Sequence, residues 1–190
     1  MRSIILKLLP LRSGKMGQLC ALEAAYVCGL QAGLQAIQRL PAADWRMQQQ
    51  AAKRAAQSVG LPSEFARVAG YRAAAVFKRT APLDVAVREI GVGAKAYRLV
   101  RSRRGRWVLI ISTLHPRATL KIPLRVPPEY RDIVSAFRTR ACHGDAVVWR
   151  HANHWYINLP VNPAGLIVDN PPNGYLGARV GSAERAAGTR

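Results

Sequence analysis

The spacing of apolar residues changes once along this chain of 190 residues, close to residue 78. Before that point, apolar side chains recur every three or four residues, the spacing that places them on one face of a helix. After it, they fall into short runs separated by turns rich in glycine, asparagine and arginine, as is typical of strands. A chain that changes its period in this way folds into separate helical and sheet regions, so the sequence predicts the α+β class.

The first part of the chain predicts one strand and three helices, and the second part predicts six strands and one helix. The early strand covers residues 4–8, and the helices cover residues 17–39, 44–58 and 63–77. The later strands are expected at residues 85–90, 97–101, 107–113, 119–124, 146–150 and 155–161, with a turn at Gly91-Val92-Gly93 and a helix at residues 128–137. We therefore expect a small antiparallel β-barrel with an inserted three-helix lobe.

Composition divides the chain into three parts. The barrel is expected to form from residues 1–11 and 81–162, and the helical lobe from residues 12–80. Residues 163–190 are rich in glycine, proline, alanine and asparagine, so we expect a tail that is partly disordered.

The charge of the chain constrains its partners more than its fold. There are 29 lysine and arginine residues and 10 aspartate and glutamate residues, which gives a formal net charge of +19. Such an excess repels itself in a compact state, and a bound polyanion such as a nucleic acid offsets the repulsion. An anionic membrane surface and a genome that favours arginine codons are the alternatives. No apolar stretch approaches the roughly 20 residues that a membrane-spanning helix needs.

The cysteines indicate a reducing compartment. Cys20, Cys28 and Cys142 are odd in number and form no CxxC pair, which argues against a disulfide framework and against a zinc knuckle. We therefore expect a cytoplasmic protein. A looser cluster of Cys142 and His143 with Asp145 and His151 lacks the spacing of a tetrahedral metal site, so no metal is predicted.

The densest group of basic residues falls on two predicted strands and the turn between them. We call it the arginine cluster, and it consists of Arg98, Arg101, Arg103, Arg104 and Arg106. Guanidinium groups bind phosphates, and the neighbouring aromatic residues Tyr97 and Trp107 are candidates for stacking on bases. Trp107 also opens an apolar strand, so a place in the core is an equal alternative for it. The further candidates for nucleic-acid contacts are Arg117, Lys121, Arg46, Lys53, Arg54, Lys78 and Arg79.

A protein of this composition could also neutralise its arginines internally. Glu89, Asp132 and Asp145 are the acidic residues that could pair with the arginine cluster. Exposed pairs of this kind contribute only about 0–1 kcal/mol each, and ten acidic residues cannot neutralise 29 basic ones.

Several short segments resemble a known family. The order of a strand, helices and a barrel resembles the N-terminal half of TnpB-type transposon nucleases, the ancestors of type V CRISPR effectors. The segments that carry the resemblance are Leu61-Pro62-Ser63, residues 73–78 (AAAVFK), residues 106–117 (RWVLIISTLHPR), Ile122-Pro123-Leu124 and residues 154–161 (HWYINLPV). It spans most of residues 1–175.

The resemblance implies a wedge-like barrel and a helical lobe that together grip a guide RNA and its heteroduplex with target DNA. Base pairing by the guide would then select the DNA sequence. The resemblance also implies a RuvC-like nuclease domain after the barrel. That domain would begin with a Gly-x-Asp-x-Gly motif, whose aspartate binds metal.

The metal-binding motif of that nuclease is not matched in this chain. The nearest segment is Gly177-Ala178-Arg179-Val180-Gly181, where an arginine stands in the place of the aspartate and would repel Mg²⁺. Asp169 is a second candidate, although a turn before Asn170 explains it better, and only Glu184 follows among the acidic residues. We therefore expect no catalytic residue, no cofactor and no enzymatic activity of its own.

The sequence thus predicts a guide-RNA-binding, RNA-guided DNA-recognition subunit or fragment of a TnpB-like or type V CRISPR-like ribonucleoprotein, acting in antiviral defence or transposition. A separate RuvC-like nuclease chain or other effector subunits would be its protein partners. Two alternatives stay open: a DNA-binding regulator that needs no guide, and a non-functional truncated transposon nuclease.

Overall fold

The computed structural model describes residues 2–40, 44–78, 89–136 and 144–161. The chain begins with strand β1 (Arg2–Leu8) and three helices, α1 (Ser13–Gln38), α2 (Trp45–Ser58) and α3 (Ser63–Phe77). The remaining elements are β2 (Glu89–Val92), β3 (Tyr97–Arg101), β4 (Trp107–Ser112), β5 (Thr119–Arg125), a 3₁₀ turn (Pro128–Tyr130), α4 (Arg131–Ala136), β6 (Ala146–His151) and β7 (His154–Val161). The predicted α+β class is confirmed.

Local sequence signals explain where the helices begin and end. Asp44 precedes α2, and its side chain accepts a hydrogen bond from the backbone N–H of Met47 at 2.7 Å, as an N-cap residue does. After α2, Gly60 has a φ of 88°, a conformation that glycine adopts without steric cost. Pro62 then precedes α3, which begins at Ser63 as predicted.

The seven strands form one antiparallel sheet in the order β2-β6-β7-β1-β5-β4-β3. The first strand of the sequence therefore lies at the centre, where it pairs with β7 on one side and with β5 on the other. The edge strands β2 and β3 are adjacent in sequence, and no strand pairing joins them within the described ranges. The Tyr97 hydroxyl of β3 donates a hydrogen bond to the Gly144 carbonyl oxygen at 2.9 Å, just before β6.

The core lies on the inner face of this sheet. Leu6, Val148 and Ile157 form one cross-strand layer of buried residues, and Leu109 and Ile122 form another. Helices α1 and α3 complete the same cluster with their own buried residues, which include Leu19, Leu22, Tyr26 and Phe65. Full burial of such side chains stabilises the fold by about 1.5–3 kcal/mol each.

Gly91 and Gly93 let the helices pack closely against β2. A Cβ atom on Gly91 would lie 2.4 Å from the Tyr26 hydroxyl, and one on Gly93 would lie 2.5 Å from the Glu64 carboxylate. The predicted turn at Gly91-Val92-Gly93 is therefore wrong, because Gly91 and Val92 belong to strand β2. Most of the strand predicted at residues 85–90 lies outside the described residues.

Two ion pairs fasten α3 to the sheet. Arg72 pairs with Glu89 of β2, and Arg67 pairs with Asp145 as well as with Glu64 on its own helix. The hydrogen bond from Arg67 to Asp145 is the main cause that raises the pKa of this guanidinium above its ordinary value. These two arginines therefore serve the fold.

No helix in the described parts of the chain is both long enough and apolar enough to cross a membrane.

Candidate nucleic-acid interface

The arginine cluster is displayed by a tight hairpin between β3 and β4. Arg101 and Trp107 are the last paired residues, and beyond them the Ser102 N–H donates to the Arg106 carbonyl oxygen at 2.8 Å. The Gly105 N–H donates to the Ser102 carbonyl oxygen at 2.9 Å, and Gly105 has a φ of 75°. This is a three-residue loop built on a type I turn followed by a glycine in the left-handed region. The loop projects Arg103 and Arg104 into solvent.

All five side chains of the arginine cluster are exposed. Within the described residues, none of them forms an ion pair with an acidic side chain. Arg101 instead donates from Nε to the Gly105 carbonyl oxygen at 3.3 Å, inside the same loop. Two of the acidic residues that could have compensated the cluster, Glu89 and Asp145, pair with arginines of α3. The positive charge of the cluster is therefore not neutralised by the described part of the protein.

The strands around the cluster carry no negative charge. Strands β1 and β3 to β7 contain no aspartate or glutamate, and Glu89 of β2 is the sole acidic residue on a described strand. On the outer face of the sheet, Arg98 and Lys121 lie on either side of Ile110 in one cross-strand row. Both cations are exposed, whereas Ile110 is buried. The outer face of β3 to β5 therefore presents basic groups beside the arginine hairpin.

The two aromatic residues predicted beside the cluster belong to the core. Tyr97 and Trp107 are 5% and 8% exposed, so neither ring has a free face that could stack on a base in this conformation. Burial raises the pKa of the Tyr97 hydroxyl, and the nearby Asp145 carboxylate raises it further. Trp107 is therefore a core residue, which is one of the two alternatives that the sequence left open.

The remaining candidate residues are dispersed. Arg117 is exposed in the turn between β4 and β5, at the opposite end of β4 from the arginine cluster. Arg46 and Arg54 are exposed on α2, Lys53 is half-buried there, and Lys78 is exposed at the end of α3; Arg79 lies outside the described residues. The structure thus joins Lys121 to the arginine cluster and leaves the helical candidates on a separate surface.

The structure reveals an aromatic pair that the sequence analysis missed. Trp149 of β6 and Tyr156 of β7 are directly opposite each other, and their rings stack with centroids 5.6 Å apart and planes 24° apart. Both rings are partly exposed on the outer face of the sheet. Strand alternation could have identified them, because the neighbours Val148 and Trp155 point into the core and so place Trp149 and Tyr156 outside.

Comparison with protein-family models gives no match, and comparison with curated proteins gives no significant match. Among the described residues, no three histidine, cysteine, aspartate or glutamate side chains come together as a metal site would need. Cys142, His143, Asp169 and Arg179 lie outside the described residues.

Proposed function

We propose that this protein binds RNA, and that the arginine cluster with the adjoining outer face of β3 to β5 holds the phosphate backbone. The observation that carries the proposal is the group of five exposed arginines without an acidic partner among the described residues. Arginine suits this role because its planar group stays charged and donates paired hydrogen bonds to phosphate oxygens. Bound phosphates also relieve the repulsion among the five charges.

The choice of RNA over DNA rests on the resemblance to TnpB-type nucleases. In that proposal the RNA is a guide that pairs with target DNA, and a RuvC-like nuclease partner supplies the cutting chemistry in a cytoplasmic ribonucleoprotein. The protein would hold the RNA by its backbone and shape. The hydrogen bond from the Tyr97 hydroxyl of edge strand β3 to the Gly144 carbonyl oxygen, just before β6, supports a wedge-like barrel.

The first test removes three charges from the hairpin. We expect the arginine-cluster variant, which combines Arg101→Ala, Arg103→Ala and Arg104→Ala, to bind structured RNA at least about tenfold more weakly than the parent. Each lost phosphate contact lowers the slope of log affinity against log salt by about one. Binding is measured by fluorescence anisotropy over a range of salt concentrations, and circular dichroism confirms that the variant is folded.

A matched control removes the same charge from the helices. Arg39, Arg46 and Arg54 are exposed on or next to α1 and α2, and their replacement by alanine also lowers the net charge by three. We expect this control to lose much less affinity for RNA than the arginine-cluster variant. Equal losses of affinity in the two variants, or an unchanged slope of log affinity against log salt in the arginine-cluster variant, would show that the sheet is not the binding face.

A second test identifies the nucleic acid. We expect RNA of a defined sequence class to copurify with the protein, and sequencing of that RNA would identify it. Specific binding to a DNA duplex in the absence of any RNA would overturn the guide-RNA proposal and favour the regulator.

A further inference from the structure

The stacked pair of Trp149 and Tyr156 is one end of a longer row across the outer face of the sheet. The strand register places Tyr156 opposite Lys7 of β1, and Lys7 opposite Arg125 of β5. The row therefore runs Trp149, Tyr156, Lys7, Arg125 across four neighbouring strands. Lys7 is half-buried and Arg125 is exposed. We call these four residues the aromatic–basic row.

The aromatic–basic row leads to the arginine cluster. Strands β4 and β5 pair Val108 with Pro123, and continuing this register by two residues places Arg106 opposite Arg125. Adjacent strands lie about 4.8 Å apart, so the path from Trp149 to Arg106 crosses four spacings, or about 19 Å. An aromatic platform and a cluster of phosphate-binding arginines thus lie at the same end of one sheet, joined by two further cations.

The chemistry of the row fits an unpaired nucleotide segment. Exposed aromatic rings stack on bases of any sequence, and cations beside them hold the connecting phosphates. Bases within a duplex are already stacked on their neighbours and cannot stack on a protein ring without being unpaired. The row contains no acidic residue, and Glu89, which lies opposite Trp149 on the edge strand, is engaged by Arg72.

We propose that the aromatic–basic row binds a single-stranded segment of RNA, with a base stacked on Tyr156 and the adjoining phosphates held by Lys7 and Arg125. This inference rests on the proposed function, since it extends the same RNA from the arginine cluster across β5 and β1. It adds a distinct specificity: the arginine cluster binds any RNA backbone, whereas the row distinguishes unpaired from paired RNA. The protein would therefore bind the junction where a duplex opens into a single strand.

The test compares two RNAs of about 12 nucleotides or base pairs, one unstructured and one a blunt duplex. We expect Tyr156→Leu, which keeps an apolar side chain and removes the ring, to weaken binding of the unstructured RNA by about tenfold. Its affinity for the duplex should stay within about twofold of the parent value. Tyr156→Phe, which keeps the ring and removes the hydroxyl, should bind both RNAs as the parent does.

A second aromatic pair supplies the control. Trp45 and Tyr71 meet edge to face on the helices with ring centroids 5.7 Å apart, and Tyr71 is 55% exposed. We expect Tyr71→Leu to leave the affinity for both RNAs unchanged. If it weakens the unstructured RNA as much as Tyr156→Leu does, the helical pair is the stacking site and the inference is overturned.

The outcomes separate this inference from the proposed function. If Tyr156→Leu binds the unstructured RNA like the parent while the arginine-cluster variant loses affinity for both RNAs, the row is not a binding site and the proposed function stands. If Tyr156→Leu loses affinity for both RNAs equally, the ring supports the fold and the inference also fails. If the arginine-cluster variant binds the duplex as tightly as the parent, the proposed function fails, whatever the row does.

Discussion

The Tyr97 hydroxyl is a buried polar group that ties two separate parts of the sheet together. It donates to the Gly144 carbonyl oxygen at 2.9 Å, in a side chain that is only 5% exposed. Its pKa is raised above the ordinary value of 10.0, because burial disfavours the charged phenolate and the Asp145 carboxylate repels it. The folded protein therefore retains this proton at a pH where the unfolded chain has lost it.

The sign of the resulting pH dependence follows from this difference. The unfolded chain begins to release the tyrosine proton near pH 10, so the contribution of Tyr97 to stability is complete below that pH and is lost as the pH rises above it. We expect the free energy of unfolding to fall above about pH 10 and to fall less steeply in Tyr97→Phe. Urea unfolding at about pH 8 and about pH 11 measures both slopes.

Near neutral pH the same substitution lowers the free energy of unfolding. Tyr97→Phe removes the hydrogen bond to Gly144 and is expected to cost about 1 kcal/mol. Parent and variant should therefore differ most at about pH 8 and converge in alkali. A constant difference across this range would show that Tyr97 does not titrate as its burial indicates.

At the scale of the elements, short apolar runs separated by turn residues made most of the strands predictable. Strand β3 and helix α3 begin and end at the predicted residues, with Pro62 marking the start of α3 and the turn at Arg103-Arg104-Gly105 following the end of β3. The turn predicted at Gly91 is wrong because a glycine between two apolar residues marks a turn or a close helix contact equally well in sequence. The partners of that contact, Tyr26 and Val68, are distant in sequence, and only the fold brings them to Gly91.

The candidate site was predictable only in part, because contacts between residues that are distant in sequence depend on the fold. The arginine cluster is local in sequence and can be recognised there, whereas the aromatic–basic row joins residues from three separate segments of the chain. Lys7 and Arg125 meet only because β1, the first strand, inserts between β5 and β7. No short-range pattern encodes that order of strands.

The β6–β7 hairpin contains a backbone strain that a substitution should relieve. His151 and His154 pair across a two-residue loop in which Ala152 and Asn153 both have positive φ values, 44° and 62°. This is the type I′ geometry, which asparagine tolerates well and alanine does not. We expect Ala152→Asn to raise the free energy of unfolding by about 0.5–1 kcal/mol. Asn153→Ala should lower it by a similar amount, and urea titration of the two variants gives the comparison.

A result in which both substitutions change stability in the same direction would contradict this assignment. The loop joins the two strands that carry Trp149 and Tyr156, so the variants also report on the row. A more stable hairpin should leave RNA affinity unchanged or slightly increased, because the rings already stack in the free protein.

At the scale of the whole molecule, the charge of +19 should make the free protein and its RNA complex respond to salt in opposite directions. Salt screens the repulsion among exposed cations, so the thermal unfolding midpoint of the free protein should rise as sodium chloride increases from about 50 to about 500 mM. The midpoint of the complex is higher at low salt, because bound RNA stabilises the folded state, and it should fall as salt weakens the phosphate contacts. The two curves should therefore converge at high salt.

In the arginine-cluster variant, the free protein should gain less from salt and the complex should start from a lower midpoint. Differential scanning fluorimetry with and without RNA measures all four curves. If the unfolding midpoints with and without RNA rise in parallel with salt, the basic residues do not bind the RNA, and the proposal of a polyanion partner is wrong.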